Sequence, residues 1–260
     1  VVPSEIPANW EDEALKAQVV ASRTYAYYHI MAARKHSSAY DLDSSVLSQV
    51  YRGIDDEKTS TSRAVRATSG EILLHEYLPI LSYFHSTCGG KTVSDSLVWK
   101  KSSMPYLKGV RCGYCSDSTR YSWETKLSLG QIRNCLSVKY GVIGEIRSLS
   151  FKKKDDRVTD VIIRHAGGII TLGGNDFRLL FPGDTIQSLY FTSTQVSTGL
   201  ILKGFGWGHG VGMCQWGARG MARKGFRYRQ ILRHYYAGVH VGSVGHTNIA
   251  ATLKEREPNR

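Results

Sequence analysis

Four residues of the sequence have the types and the spacing of a metal site. His85 and Cys88 are separated by two residues, and Cys112 and Cys115 repeat that spacing about two dozen residues later. Two ligands on one tight turn can reach the same ion, and two such pairs complete a tetrahedral zinc site. We therefore predict a Zn²⁺ ion bound by His85, Cys88, Cys112 and Cys115. A disulfide between Cys112 and Cys115 with Cys88 free is one competing interpretation, and unrelated thiols are another.

The two remaining cysteines have different surroundings in the sequence. Cys135 falls in an amphipathic helical pattern that is typical of a core position, whereas Cys214 lies in a glycine-rich motif over residues 204–225. The sequence leaves the environment of Cys214 undetermined. Because the number of cysteines is odd, complete disulfide pairing within one chain is excluded.

Glu5 is a candidate for proton transfer. It lies two residues before Pro7, ahead of a long helical pattern that carries Lys16 and Arg23 seven residues apart and therefore on one face. A carboxyl group placed against that face could work as an acid or a base. The competing interpretation is a helix cap or a solvated side chain.

His209 is flanked by Gly208 and Gly210, which leave room for a ligand to approach the imidazole ring. Such a histidine could bind a sugar, a proton or a metal ion, or it could be structural in a tight turn. Nearby aromatic residues would suit stacking on sugar rings, although aromatic residues at this spacing can also simply form a core: Phe205, Trp207, Trp216, Tyr228, Tyr235 and Tyr236. The motifs of serine hydrolases, P-loop NTPases, zincins and Rossmann enzymes are absent from the sequence.

Several elements must position these residues. The sequence predicts a long helix over residues 13–35, because apolar and small residues recur at three- and four-residue steps without Gly or Pro. Shorter helices are predicted over residues 57–68 and 228–236, and a helical turn over residues 175–181. Strands are predicted at three places in the chain, over residues 46–53, 71–86 and 147–173.

This order of elements predicts an α+β fold, in which a long helix packs on mixed β strands. We expect a single domain over residues 1–260, with a β-rich subdomain at about 145–199 and a groove for a ligand. The polar residues 254–260 are expected to form a solvated tail.

The net charge of the chain limits the classes of partner that it can bind. The 34 Lys and Arg residues against 22 Asp and Glu residues give a formal net charge of +12, which indicates an acidic partner or surface. The basic residues are dispersed and accompany no nucleic-acid-binding motif, so nucleic acid is a distant alternative. The sequence contains no run of about 18 apolar residues. Because the chain begins with Val1, we expect a removed N-terminal segment, such as a signal peptide or membrane anchor.

Seven segments of the chain resemble the stage II sporulation protein D (SpoIID/LytB-domain) family of peptidoglycan lytic transglycosylases, and they follow in the order of that family. They cover residues 4–26, 49–53, 64–73, 79–92, 105–110, 206–222 and 230–238. The resemblance implies cleavage of the β-1,4 bond between N-acetylmuramic acid and N-acetylglucosamine in glycan strands without stem peptides, which leaves a 1,6-anhydro end. Some relatives are amidase enhancers, so a non-catalytic glycan-binding protein that stimulates a cell-wall amidase is the alternative.

The resemblance also assigns site residues. The catalytic acid of the family falls on Glu5, and the residues expected to bind substrate are Lys16, Arg23, Tyr51, Ser86, Gly208, His209 and Gln215. Cys88 and Cys214 stand where the family often has Ser. Cys88 together with Cys112 and Cys115 suggests a branch of the family that carries a structural zinc ion near the groove. The resemblance further implies extracytoplasmic action at the cell envelope, with membrane attachment only through a missing segment, and a peptidoglycan amidase as a partner.

Overall fold

The computed structural model describes residues 1–35, 41–42, 53–100 and 103–244. The predicted strand over residues 46–53 and the predicted tail lie almost entirely outside this range. The helices of the described residues are α1 (Val2–Glu5), α2 (Asp12–Lys35), α3 (Thr59–Ala67), α4 (Asp95–Trp99), α5 (Leu129–Tyr140), α6 (Gly174–Leu179), α7 (Gln215–Arg223) and α8 (Tyr228–Tyr235), with a 3-10 turn at Ile54–Asp56.

The strands are short and belong to several small sheets. They are β1 (Glu71–His75), β2 (Leu78–Pro79), β3 (Phe84–His85), β4 (Ser122–Ser128), β5 (Ile146–Lys154), β6 (Arg157–His165), β7 (Gly168–Gly173), β8 (Phe191–Val196), β9 (Gly199–Phe205), β10 (Met213–Cys214) and β11 (His240–Ser243). Helix accounts for 35% and strand for 29% of the structure, so the predicted α+β class is confirmed.

The chain forms two compact units, one from Val1–Phe84 with Ala218–Arg260 and one from His85–Gly217. The first unit is built around α2, which packs against α3, β1 and α8. Leu15 and Val20 of α2 are fully buried, and the hydroxyl of Thr24 accepts the N–H of Leu73 at 2.9 Å, which fixes β1 on the helix. Burial on several sides explains why so long a helix is stable.

The sheet of the first unit has the antiparallel order β11-β1-β2. Its β1–β2 turn places Glu76 and Tyr77 at φ values of 48° and 63°, in the left-handed region that closes a two-residue hairpin. This turn divides the predicted strand over residues 71–86, and β3 is separated from β2 by a further irregular stretch.

The second unit contains two antiparallel three-stranded sheets, ordered β4-β9-β8 and β5-β6-β7. Their apolar side chains share one core with α5 and α6, in which Ile132, Phe177 and Leu202 are fully buried. The strands β5, β6 and β7 coincide with the predicted strand region 147–173. The rest of the unit, which includes the glycine-rich motif, has little regular structure apart from the pairing of β10 with β3.

Among the described residues, no helix is both long enough and apolar enough to cross a lipid bilayer.

Candidate functional site

Glu5 is the last residue of α1, in the first unit, and it is half-buried. The next residue, Ile6, is extended and only 3% exposed, so it anchors the end of α1 in the core. Ser4 donates a hydrogen bond from its hydroxyl to Asp56 at 3.3 Å. Packing on one side and a polar contact on the other therefore hold the segment around Glu5.

Lys16 forms an ion pair with Glu13, with 2.7 Å between Nζ and Oε1. The second carboxylate oxygen of Glu13 accepts the backbone N–H of Tyr228 at 2.7 Å, at the start of α8. Burial works against ionisation of Glu13, but the hydrogen bonds from Lys16 and Tyr228 outweigh it and lower the pKa of this carboxyl. The ion pair thus also joins α2 to α8.

Arg23 donates to backbone carbonyl groups at the end of α3 and the start of β1. Its guanidinium nitrogens lie 2.6 Å from the carbonyl oxygen of Thr68, 2.9 Å from that of Glu71 and 3.3 Å from that of Val65. The last carbonyls of a helix have no partner within the helix, and a cation there also interacts favourably with the helix dipole. The structure therefore gives Arg23 a capping role in the first unit.

The predicted groove residues of the second unit lie on two neighbouring segments. Thr87 and Trp207 exchange backbone hydrogen bonds of 3.0 and 2.7 Å, and the N–H of Trp216 donates to the carbonyl of Ser86 at 3.1 Å. Gln215, the first residue of α7, is 7% exposed. The structure thus brings the chain around Ser86 beside the glycine-rich motif that carries the other predicted groove residues.

His209 is half-buried and lies between two other rings. Its ring centre is 5.3 Å from that of His85 and 5.2 Å from that of Trp99. Its Nδ1 accepts the N–H of Val211 at 3.1 Å, so the neutral ring carries its proton on Nε2. Gly208 allows this approach, because at a φ of 110° a Cβ there would lie 2.8 Å from the Cβ of His85.

His85 is fully buried, and its Nδ1 is 3.0 Å from the carbonyl oxygen of Val211. Burial lowers the pKa of His85 to about 4, so the ring is neutral and donates its Nδ1 proton to that carbonyl. Its buried Nε2 has no hydrogen-bond partner among the described residues. A neutral, fixed ring is consistent with a positioning role beside His209.

The predicted site residues therefore fall into two sets. Glu5, Lys16 and Arg23 belong to the first unit, and Ser86, Gly208, His209 and Gln215 belong to the second. Tyr51 lies outside the described residues. The assignments of these residues to catalysis and substrate binding stay predictions.

Four cysteines of the second unit form a compact buried cluster. The Sγ atoms of Cys88, Cys112, Cys115 and Cys214 all lie within 4.8 Å of one another, all four residues are buried, and none of the four forms a disulfide. Three of them come from the predicted metal site. The prediction named His85 as the fourth ligand, whereas the structure places the Sγ of Cys214 there and turns the Nδ1 of His85 towards Val211.

Close packing shifts the pKa values of these thiols in opposite directions. Burial, followed by hydrogen bonds with its neighbours, raises the pKa of Cys214. Hydrogen bonds from Cys112, Cys214 and Cys88 lower the pKa of Cys115, so that the cluster stabilises a thiolate at this position.

A cavity of about 610 Å³ lies elsewhere in the second unit, and it contains none of the predicted site residues. Trp123, Tyr190 and Phe205 supply its aromatic surface, and Glu124 and Lys203, which form an ion pair of 3.1 Å, lie at the same opening. The cavity is therefore a separate feature of the β4-β9-β8 sheet.

Two neighbours of the site were missed at the level of sequence. The sequence does not predict the contact of Trp99 with His209, because Trp99 ends the short helix α4, far along the chain from His209. The spacing of Cys214 from the other cysteines likewise carries no local signal. A count of buried thiols in a folded chain would have found Cys214, but a spacing rule could not.

Comparison with known proteins gives two family matches. Residues 1–75 match the model described as stage II sporulation protein, and residues 112–212 match a domain of unknown function, DUF8618. An uncharacterized protein of Brachyspira hyodysenteriae is 37% identical over 100% of this chain and 68% of its own length. Stage II sporulation protein D of Bacillus amyloliquefaciens is 29% identical over 93% of this chain and 72% of its own length. The amidase enhancer of Bacillus subtilis is 27% identical over 92% of this chain and 39% of its own length.

Proposed function

This chain belongs to the stage II sporulation protein D family, and on that premise we propose that it is a lytic transglycosylase of peptidoglycan. Family membership and similarity to an amidase enhancer support a cell-wall-related role. In the proposed reaction, the enzyme cleaves the β-1,4 bond between N-acetylmuramic acid and N-acetylglucosamine. Its substrate is a glycan strand from which the stem peptides have been removed.

The placement of Glu5 carries this proposal. Glu5 lies within the part of the chain that matches the sporulation-protein model. The next residue, Ile6, is buried and holds this part of the chain in place. Glu5 is half-buried at the end of α1. A general acid needs this kind of fixed position, because proton transfer requires hydrogen-bond contact with the reacting oxygen.

A single carboxyl group is sufficient for the proposed chemistry. Glu5 donates its proton to the glycosidic oxygen as the bond from that oxygen to C1 of the muramic acid breaks. The C6 hydroxyl oxygen of the same sugar then bonds to C1, and its proton passes to the Glu5 carboxylate. The products are a free 4-hydroxyl group and a 1,6-anhydro end, and no water is consumed. Glycosidases that use water need a second carboxylate, which this reaction does not.

The second unit supplies the proposed sugar contacts. His209 is the proposed polar contact to a sugar, and its ring centre lies 5.2 Å from that of Trp99. Ser86 and Gln215 add polar groups on the neighbouring chain segments. We include Gly208 because it lets the backbone of this motif pass close to His85.

We propose different roles for Lys16 and Arg23. The Lys16 side chain is 24% exposed, so its ammonium group can exchange Glu13 for a substrate oxygen. Arg23 holds three backbone carbonyls, so its contribution to the reaction is to keep the α2 surface in shape. Tyr51 is retained as a substrate-binding residue on the resemblance alone.

The proposed setting is the cell envelope, outside the cytoplasm. Glycan strands without stem peptides arise only after an amidase has removed those peptides, so an amidase must act first on this substrate. The net charge of +12 suits an acidic polymer surface such as the cell wall. We propose that any membrane attachment belongs to a segment outside the present sequence.

The test is digestion of amidase-treated peptidoglycan, followed by mass analysis of the products for 1,6-anhydro ends. We expect the wild-type protein to form such ends and Glu5→Gln to form at least about 100-fold fewer, because the amide cannot donate the proton. Glu57→Gln is the matched control, since Glu57 is exposed and its side chain makes no described contact. Both variants should retain the wild-type circular dichroism spectrum.

Two results would contradict the proposal. Formation of anhydro ends by Glu5→Gln at the wild-type rate would remove Glu5 from the reaction. A wild-type protein that binds the strands and accelerates an amidase, yet forms no anhydro ends, would identify the chain as a non-catalytic enhancer instead.

A further inference from the structure

We propose that the sulfur atoms of Cys88, Cys112, Cys115 and Cys214 bind one Zn²⁺ ion in a tetrahedral site. Zinc–sulfur bonds of about 2.3 Å place the sulfur atoms of such a site about 3.8 Å apart. In this chain the Sγ atoms of Cys88 and Cys115 are 3.6 Å apart, and all four lie within 4.8 Å of one another. A cluster of several metal atoms would hold its cysteines further apart, so the spacing favours a single ion.

The turn that carries two of the ligands has the shape of a zinc-binding knuckle. Cys112 and Cys115 are brought onto one side of a tight turn, in which Gly113 has a φ of 66°. That conformation is accessible to glycine without strain. The N–H of Cys112 donates to the carbonyl of Gly90 at 2.9 Å, which fixes the turn beside the loop that carries Cys88.

Backbone N–H groups point at the sulfur of Cys214. The N–H groups of Cys88 and Gly217 both lie 3.3 Å from this Sγ, and Cys214 immediately precedes α7, whose N-terminal end favours negative charge. A neutral thiol is a weak acceptor, whereas a thiolate accepts such bonds strongly. The carbonyl oxygen of Ser86 also lies 3.6 Å from this Sγ, so the two N–H groups support a thiolate here when a metal ion takes the place of the thiol proton.

Arg157 provides an independent indication that negative charge resides here. It is 2% exposed, and one guanidinium nitrogen donates to the carbonyl oxygens of Cys88 at 3.2 Å and Lys91 at 2.7 Å. Its plane stacks on Tyr190 at 3.9 Å. Its buried Nη1 has no hydrogen-bond partner, and none of the ion pairs found among the described residues includes Arg157.

A buried cation is costly unless an opposite charge lies nearby. Four protonated thiols are neutral, so Arg157 would then have only Asp155 and Asp156 as acidic neighbours, and it forms no ion pair with either of them among the described residues. Zn²⁺ with four thiolates carries a net charge of −2, so one adjacent guanidinium neutralises half of it. The positive charge of Arg157 and the negative charge of the zinc–thiolate site thus stabilise each other. We assign Arg157 as the residue that compensates the charge of the site.

The ion would serve as a crosslink. It joins three segments of the second unit that share little regular structure, namely the loop after β3, the knuckle, and the junction of β10 with α7. Four sulfur ligands leave no open position for water or substrate, so the site is structural. Because Cys88 and Cys214 flank Ser86 and His209 in sequence, the ion would also fix the two segments that carry the predicted groove residues.

The first test uses the wild-type protein, purified without added metal and analysed by elemental mass spectrometry. We expect about one zinc ion per chain. A mercurial reagent should release this ion as it reacts with the four cluster thiols, whereas its reaction with the fifth thiol, Cys135, should release no zinc. Replacement of zinc by Co²⁺ should give the intense sulfur-to-cobalt absorption of a tetrahedral thiolate site. Absence of bound metal, or two disulfides in the isolated protein, would overturn the proposal, as would iron in place of zinc.

The second test separates the two possible fourth ligands. Cys214→Ser should lose most of the bound zinc, whereas His85→Asn and the control Cys135→Ser should keep it, because neither His85 nor Cys135 belongs to the cluster. Full zinc content in Cys214→Ser together with loss in His85→Asn would replace Cys214 by His85 and refute the assignment. These measurements report metal content, so they do not depend on whether the chain cleaves glycan.

The third test concerns Arg157. Arg157→Met should weaken zinc binding by about 10- to 100-fold in a competition titration with a chelator, as is usual for residues that support metal ligands. Arg164→Met is the control, because Arg164 is exposed on the same strand, β6. Unchanged zinc affinity in Arg157→Met would refute the charge-compensating role.

Discussion

At the scale of single residues, two neighbouring histidine rings of the second unit differ in burial. His85 is buried and its Nδ1 donates to the carbonyl of Val211, while His209 is half-buried and its Nδ1 accepts the N–H of Val211. Their rings are 5.3 Å apart, so the fixed ring of His85 limits the orientations open to His209. The neutral ring of His85 therefore orients the ring of His209 without adding a buried charge.

The buried state of His85 predicts how stability changes with pH. Its pKa is about 4 in the folded protein and about 6.5 when unfolded, so the unfolded chain binds the extra proton between these values. The stability that His85 contributes is therefore complete above pH 6.5 and is lost as pH falls through 4. Up to about 3 kcal/mol of unfolding free energy is involved.

Urea unfolding of the wild-type protein and of His85→Asn between pH 4 and 7 measures this effect. The amide side chain keeps a donor for the Val211 carbonyl but does not titrate, so the variant should lose less stability on acidification. Any acid-induced loss of metal is common to both proteins and cancels in the comparison. Identical pH profiles for the two proteins would show that His85 is not held neutral.

At the scale of elements, α3 depends on α2 for its C-terminal end. A helix of nine residues is marginal by itself, and the fork of Arg23 satisfies the carbonyls of Val65, Thr68 and Glu71 where α3 gives way to β1. A structural requirement at this position therefore exists independently of any role in substrate binding.

Arg23→Met should lower the free energy of unfolding by about 1–2 kcal/mol, because partly buried carbonyl groups lose their donor. Arg66→Met, on the exposed face of α3, should change it by less than about 0.5 kcal/mol. Chemical denaturation of both variants checks the difference. Unchanged stability of Arg23→Met combined with weaker glycan binding would instead show that Arg23 mainly holds substrate.

At the scale of the whole molecule, net charge is the property that acts over the longest distance. An excess of 12 positive charges attracts the chain to any acidic polymer surface, and the attraction weakens as salt shortens the screening length to about 10 Å at 0.1 M. It requires no particular residue, so it complements the specific contacts proposed for the glycan.

Retention of the protein on isolated cell walls should therefore fall steeply as salt is raised from about 0.05 to 0.5 M. Walls from which acidic polymers have been stripped should retain less protein and show a weaker salt dependence. Sedimentation of the walls with bound protein measures both. Equal, salt-independent retention on the two preparations would mean that recognition rests on short-range contacts alone.

The sequence by itself determined the features that depend on neighbouring residues along the chain. The long helix follows from an uninterrupted apolar pattern. The closeness of the Cys112 and Cys115 side chains follows from their positions on one tight turn. The sequence does not predict the hairpin at Glu76–Tyr77, because its left-handed residues are not glycine. The antiparallel pairing of β1 with β2 imposes this conformation.

Only the tertiary structure decided which distant residues meet. It placed Cys214 with the other three cysteines, Trp99 against His209, and the buried Arg157 on the carbonyl of Cys88. The physical reason is that spacing along a chain encodes only contacts within a turn or a helix face. Contacts between remote segments arise from the packing of strands and loops, which no single segment specifies.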